Sequence, residues 1–208
     1  MLIQKLQIVR QEVGIPISEQ SSYVSRIYFL NTAIQNSHYK ILRYINNNQK
    51  ELLEGEIMSM NELTHLRVAE LQKLRSIVDR NRTEITPPKI LLQRLEAEIK
   101  ALDTKHQDFL KEVELVQSKK TIVLPPTKFT EELDYLHNQV LDTASTFVTH
   151  NQKELEEARQ LVDFIKQNSL QLMYLILVTN VGVLFASIIF ADILVLESME
   201  KIKCPPRN

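Results

Sequence analysis

An elongated, all-α, up-down-up-down four-helix bundle, with a C-terminal transmembrane helix continuous with its fourth helix, is what this sequence predicts. Three observations carry that expectation. Only 3 Gly occur among 208 residues and the 7 Pro fall mostly in pairs, while Leu, Glu, Lys, Gln and Ile fill long uninterrupted windows, as in helical rods. Within those windows apolar residues recur at alternating spacings of three and four, the seam of a coiled coil. One long apolar run, Leu172 to Leu196, lies near the C-terminus.

The elements follow in order. Residues 1–17 are read as a lead-in without a signal peptide, because charged or amide side chains interrupt "MLIQKLQIVRQEVGIPIS" every few positions and leave no apolar core. Three breaks, "NNNQKE" at Asn46–Glu51, "TEITPPK" at Thr83–Lys89 and "TIVLPPTKF" at Thr121–Phe129, each read as a stop and a restart. Proline is tolerated in a first helical turn, and Asn or Thr can cap it. Four helices result: Ser18–Ile45, Asn48–Arg82, Pro87–Lys119, and Thr127 onward. Short connections force antiparallel neighbours, hence a bundle over 18–169.

Heptads give each helix an inner face. The third is the clearest, with Leu92, Leu95, Ile99, Leu102, His106, Phe109, Val113 and Val116. In the first helix the seam is Val24, Ile27, Asn31, Ile34, His38, Ile41 and Ile45, and in the second it passes more loosely through Leu53, Ile57, Met60, Leu63, Arg67, Leu71, Leu74 and Val78. The fourth is expected to use Phe129, Leu133, Leu136, Val140, Thr143 and Phe147, to slip through Asn151, and to resume at Leu155, Ala158, Val162 and Ile165.

Residues 170–196 are read as the transmembrane helix. No Asp, Glu, Lys, Arg or His occurs from Gln167 to Ala191, and about 20 apolar residues at 1.5 Å each cover a hydrocarbon core of roughly 30 Å. Asp192 falls at headgroup depth, and 197–208 form a short polar tail. Gly182 and Ala186 make a small-xxx-small pair, with Asn180 and Ser187 as polar contacts, a candidate face for pairing in the membrane. The expected partners are the lipid bilayer and a second copy of the chain or another helical membrane protein. Lys153, Arg159 and Lys166 on one side balance Lys201, Lys203 and Arg207 on the other, so flanking charge leaves the sidedness open.

The formal net charge of -1, mixed along the chain, gives no basic stripe, and nucleic acid is not an expected partner. Cys204, the only cysteine, allows no internal disulfide and no cysteine-based metal site. No phosphate-binding glycine loop, nucleophile elbow or zinc-protease motif occurs, so no enzymatic activity and no cofactor are expected. Polar residues do interrupt the seams, at Asn31, His38, Arg67, His106 and Thr143. Such residues commonly fix register or oligomeric state. Counted from the membrane-proximal helix ends, His38, His65, His106 and His150 all stand about 17–20 residues up. Converging imidazoles could bind a metal or haem, or charge together as the pH falls toward about 6. Only His38 and His106 lie squarely on a seam, with His150 at its edge and His65 turned away, so coincidence is the plainer reading. Arg67 is a candidate contact for a ligand carboxylate, against the plainer reading of a snorkelling surface arginine. "NRT" at Asn81–Thr83 is a glycosylation sequon if that face is lumenal.

With "RIYFLNTAIQNSHYKILRYINNNQKELLEGEI" as first helix and turn, and "KIKCPP" placing Ile202 three residues before Pro205, the chain resembles the four-helix-bundle sensory domains of bacterial chemoreceptors and sensor kinases. The resemblance implies dimeric ligand sensing, with small movements of the fourth helix passed through the span. That family also has a first transmembrane helix and a downstream signalling domain, and neither is seen in this sequence. A tail-anchored cytosolic coiled-coil adaptor or tether is the alternative expectation. A syntaxin-like SNARE ranks below it, because "VLPP" at Val123–Pro126 cuts the final heptad run to about six repeats.

Overall fold

The structure is a computed structural model and describes residues 15–80, 86–119 and 127–203. The expectations for the lead-in before Ile15, for the Asn81–Thr83 sequon, and for Cys204 and Pro205 lie outside the described residues. Four helices make up the fold: α1 Ile15–Asn46, α2 Lys50–Arg80, α3 Pro87–Lys119 and α4 Thr127–Lys203. The chain divides into two compact units, one ending at Ala158 and one beginning at Arg159.

Local chemistry explains the breaks. At the end of α1, Asn48 adopts a left-handed φ of 52°, a conformation that asparagine tolerates better than most residues. The Asn48 amide donates to the Ile45 carbonyl at 3.1 Å and the Gln49 amide to that of Tyr44 at 2.9 Å. This pair of bonds is a Schellman closure, which satisfies the last carbonyls of the helix. The Gln49 carbonyl then accepts from Leu53 at 3.0 Å, so α2 starts at once. At α3, Thr86 offers its carbonyl to the amides of Lys89 and Ile90 at 3.0 and 3.1 Å. Pro87 and Pro88 fill the first turn, where a missing N–H removes no helical bond.

Side-chain pairs fix the ring order α1, α2, α3, α4 in the first unit, with each neighbour antiparallel. Arg26 meets Glu70 and Lys40 meets Glu56 between α1 and α2. Arg75 meets Glu96 between α2 and α3, Lys105 meets Glu132 between α3 and α4, and Asn151 donates to Ser21 at 3.2 Å between α4 and α1. The cation of each ion pair is at least partly exposed, so these pairs contribute little energy, whereas Asn151 is wholly buried. The energy lies in the seams: Val24, Ile27, Ile34 and Ile41 of α1, Leu95, Leu102 and Phe109 of α3, and Val140 and Phe147 of α4 are all wholly buried.

The α1 seam is the one expected throughout, and so is that of α3 as far as Val113. In α4 the expected Leu133, Val140, Thr143 and Phe147 are buried, and the inner face adds His137, Ala144 and Asn151. Leu136, expected on the seam, is only half-buried, and so are Leu155, Ala158, Val162 and Ile165. His137 takes the place of Leu136, and the face continues 4,3,4,3,4 without a slip.

Burial sets a direct test of the α1 register. Ile27→Val is expected to lower stability by about 1 kcal/mol. Phe29→Ala, two residues away and 70% exposed, should change it by no more than about 0.5 kcal/mol. Chemical denaturation of the full chain in detergent micelles, followed by helicity, checks the pair.

Candidate functional site

Three helices each bring one histidine to the same point in the bundle core. His38 of α1, His106 of α3 and His137 of α4 are all buried, at 4%, 3% and 0% exposure. His137 Nε2 lies 3.3 Å from His106 Nε2 and 3.1 Å from His38 Nδ1, and the ring nitrogens offered by the three all fall within 4.8 Å of one another. The Phe109 ring closes one side, its centroid 5.0 Å from that of His38 in an edge-on arrangement.

Behind the histidines a chain of polar groups leads outward. The Asn31 amide nitrogen donates to the His137 carbonyl at 3.2 Å, and its oxygen faces His137 Nδ1 at 3.2 Å. That oxygen also accepts from Arg67 Nη1 at 2.8 Å. The other arm of the wholly buried Arg67 guanidinium is paired with the Asp103 carboxylate. Asp103 in turn lies 3.8 Å from His106 Nδ1. It is 30% exposed at the side chain and lines a shallow groove between α2 and α3 with Val68, Leu71, Glu96, Ile99 and Thr104. The polar chain thus reaches the surface at Asp103.

The bonding pattern selects tautomers. Since the Asn31 oxygen can only accept, His137 must carry its proton on Nδ1 to satisfy that contact, leaving the Nε2 lone pair aimed at His106 and His38. His106 Nδ1 lies 3.8 Å from Asp103, too far for a hydrogen bond, so no partner fixes the tautomer of that ring. Electrostatics keep these rings neutral. Burial, reinforced by the neighbouring imidazoles and Arg67, pushes His38 down to about 2 and His137 down to about 3. Burial also lowers His106, while Asp103 pulls it back. Three buried atoms of the cluster, His38 Nε2, His106 Nδ1 and Arg67 Nε, have no hydrogen-bond partner.

Not every residue expected at a site arrives there. His150 lies roughly 20 Å farther along α4 than His137, at 1.5 Å per residue, with its Nε2 3.3 Å from Glu154 of its own helix. His65 is exposed. The level anticipated for the histidines is close to the observed one, but the origin on α4 was misplaced. Counting up from Ala158, where the first compact unit ends, a climb of about 20 residues reaches His137 rather than His150. The signal that finds His137 is its spacing of seven from Ala144, which is itself seven from Asn151. Arg67 is not a snorkelling surface side chain: it is wholly buried, and its guanidinium is already held by a carboxylate of its own chain.

In the second unit, α4 carries a segment long and apolar enough to cross a membrane. From Leu170 to Val195 its large apolar side chains are 44% to 71% exposed, as a lipid-facing surface would be. The Ser187 hydroxyl donates to the Val183 carbonyl at 2.8 Å, within the helix. At 100° per residue, Gly182 and Ala186 share one face, whereas Asn180 and Ser187 share another about 130° away. The four therefore do not form a single stripe.

No family model matches the chain, and no curated protein or solved structure matches it.

Proposed function

We propose that the chain is a membrane-anchored, non-enzymatic helical input module that acts through movement of α4 and through self-association, as the chemoreceptor sensory domains it resembles would. One observation carries this reading. Helix α4 supplies His137 to the buried cluster of the bundle and, as the same helix, contains the apolar segment. A core built for stability alone would be filled with apolar side chains, because partly satisfied buried polar networks are costly. Here wholly buried Asn31, Arg67, His137 and Thr143 occupy it. An occupant or partner that bonds these groups differently in two arrangements would bias the packing of α4 against α1 and α3.

In this reading the anchor sits in the plasma membrane with the bundle outside. External protease added to intact cells or spheroplasts tests that placement. Digestion of the bundle supports the sensor, whereas protection overturns it in favour of a cytosolic tether. Self-association has its own test. A Cβ at Gly182 would meet no atom within 4 Å, so Gly182→Leu should leave the single chain undisturbed. If pairing runs through Gly182 and Ala186, this substitution weakens dimer cross-linking in membranes about tenfold, in line with roughly 1–2 kcal/mol of interhelical packing. Unchanged cross-linking contradicts pairing at that face.

A further inference from the structure

We infer that His38, His106 and His137 form a binding site for a divalent transition-metal ion, with Zn(II) as the ion that fits best. The inference does not rest on the signalling role proposed above and would hold for a tether equally well.

Distance is the first support. Three nitrogens bound to one tetrahedral ion at roughly 2.0–2.1 Å stand about 3.3 Å apart. Nε2 of His137 is 3.3 Å from Nε2 of His106 and 3.1 Å from Nδ1 of His38. These separations match the edges of a coordination tetrahedron. Hydrogen bonding accounts for only one of them, because the single lone pair on His137 Nε2 faces two ring nitrogens. A cation placed among the three rings would take that lone pair together with those of His38 and His106.

The outer groups are the second support. Histidines that bind a metal through one nitrogen almost always donate the other N–H to a carbonyl or carboxylate. The Asn31 carbonyl oxygen does this for His137 Nδ1, while Asn31 is itself held by Arg67 and by the His137 backbone. Asp103 stands on the Nδ1 side of His106. Its carboxylate also offsets the Arg67 charge, which would otherwise oppose a dication. An all-imidazole set suits Zn(II), Co(II), Ni(II) and Cu(II), and tetrahedral spacing selects the first two.

The test uses the full chain in detergent micelles. Zn(II) binding is measured by competition with a chromophoric chelator, and Co(II) serves as a spectroscopic probe. Expected are one Zn(II) per chain and the visible absorption of four-coordinate Co(II). His137→Leu and His38→Phe should each remain helical and lose both signals, whereas a variant carrying His65→Gln and His150→Gln should keep them. Asn31→Ala should weaken Zn(II) binding by about 10–100-fold through loss of the group that orients His137. The inference is overturned if the unmodified chain binds no stoichiometric Zn(II), if binding survives His137→Leu, or if it disappears with the two substitutions outside the cluster.

Discussion

Acidifying the metal-free protein from about pH 7 to about pH 5 is expected to lower its unfolding free energy by about 4 kcal/mol. The sign follows from where the protons go. In the folded bundle His38 titrates at about 2 and His137 at about 3, whereas in the unfolded chain both return to about 6.5. Above that value neither state binds a proton and the stability is undiminished. Below it the unfolded chain takes up protons that the folded core refuses, so stability is lost steadily as the pH falls toward the folded values. Each histidine contributes about 2 kcal/mol of loss by about pH 5, and His106, lowered in the same direction, adds to it. The groups facing the cluster from the other helices set the balance. Arg67 from α2 opposes protonation of all three histidines, while Asp103 favours it at His106 alone. Denaturation midpoints measured with a chelator present should therefore shift sharply over this interval, and His137→Leu should reduce the slope. A midpoint that stays level would show that the histidines are hydrated rather than buried.

The second large effect concerns charge. Asp103→Ala is expected to destabilise the bundle by about 3–5 kcal/mol, because it strands a buried guanidinium without a counter-charge. Arg67 has nowhere to go. It is wholly buried, its remaining partner is the neutral Asn31 oxygen, and its Nε is already unbonded. Arg67→Met should cost much less, about 1–2 kcal/mol, since the carboxylate left behind is 30% exposed and can be hydrated from the α2–α3 groove. The two single variants and their double, compared by denaturation of the full chain, give the order directly. A greater loss for Arg67→Met than for Asp103→Ala would mean that the pair is solvated and that the buried cation is not what stabilises the layer.

The helices were legible because their ends carry local chemistry. Paired prolines restart α3 at Pro87, and an asparagine able to adopt a left-handed φ closes α1 at Asn48. Seams were legible where they are apolar, as in α1 and α3. On α4 the expected Leu133, Val140, Thr143 and Phe147 are buried, but His137 was not legible, for the same reason inverted. The inner face of that helix carries His137, Thr143 and Asn151, so a search for hydrophobic periodicity prefers Leu136 to His137 and loses one ligand of the cluster. Tertiary partners decide the matter: His137 is drawn inward by Asn31, His38 and His106, none of which is near it in sequence. Arg67 was legible as a seam position but not as a buried ion pair, because Asp103 lies off the heptad positions of α3. Composition shows a segment long and apolar enough to cross a membrane, whereas a pairing face depends on a second helix.

The central claim is that occupancy of the histidine layer changes how α4 packs against α1. Spin labels at Phe29→Cys on α1 and Tyr135→Cys on α4, both highly exposed positions, report that packing in a Cys204→Ser background. The measurement is the distance distribution between them in the full chain in lipid nanodiscs, with and without stoichiometric Zn(II), binding being verified separately. A shift of about 1–2 Å, the scale of helix movements at bistable interfaces, is the predicted result. Superimposable distributions with Zn(II) bound would contradict the account.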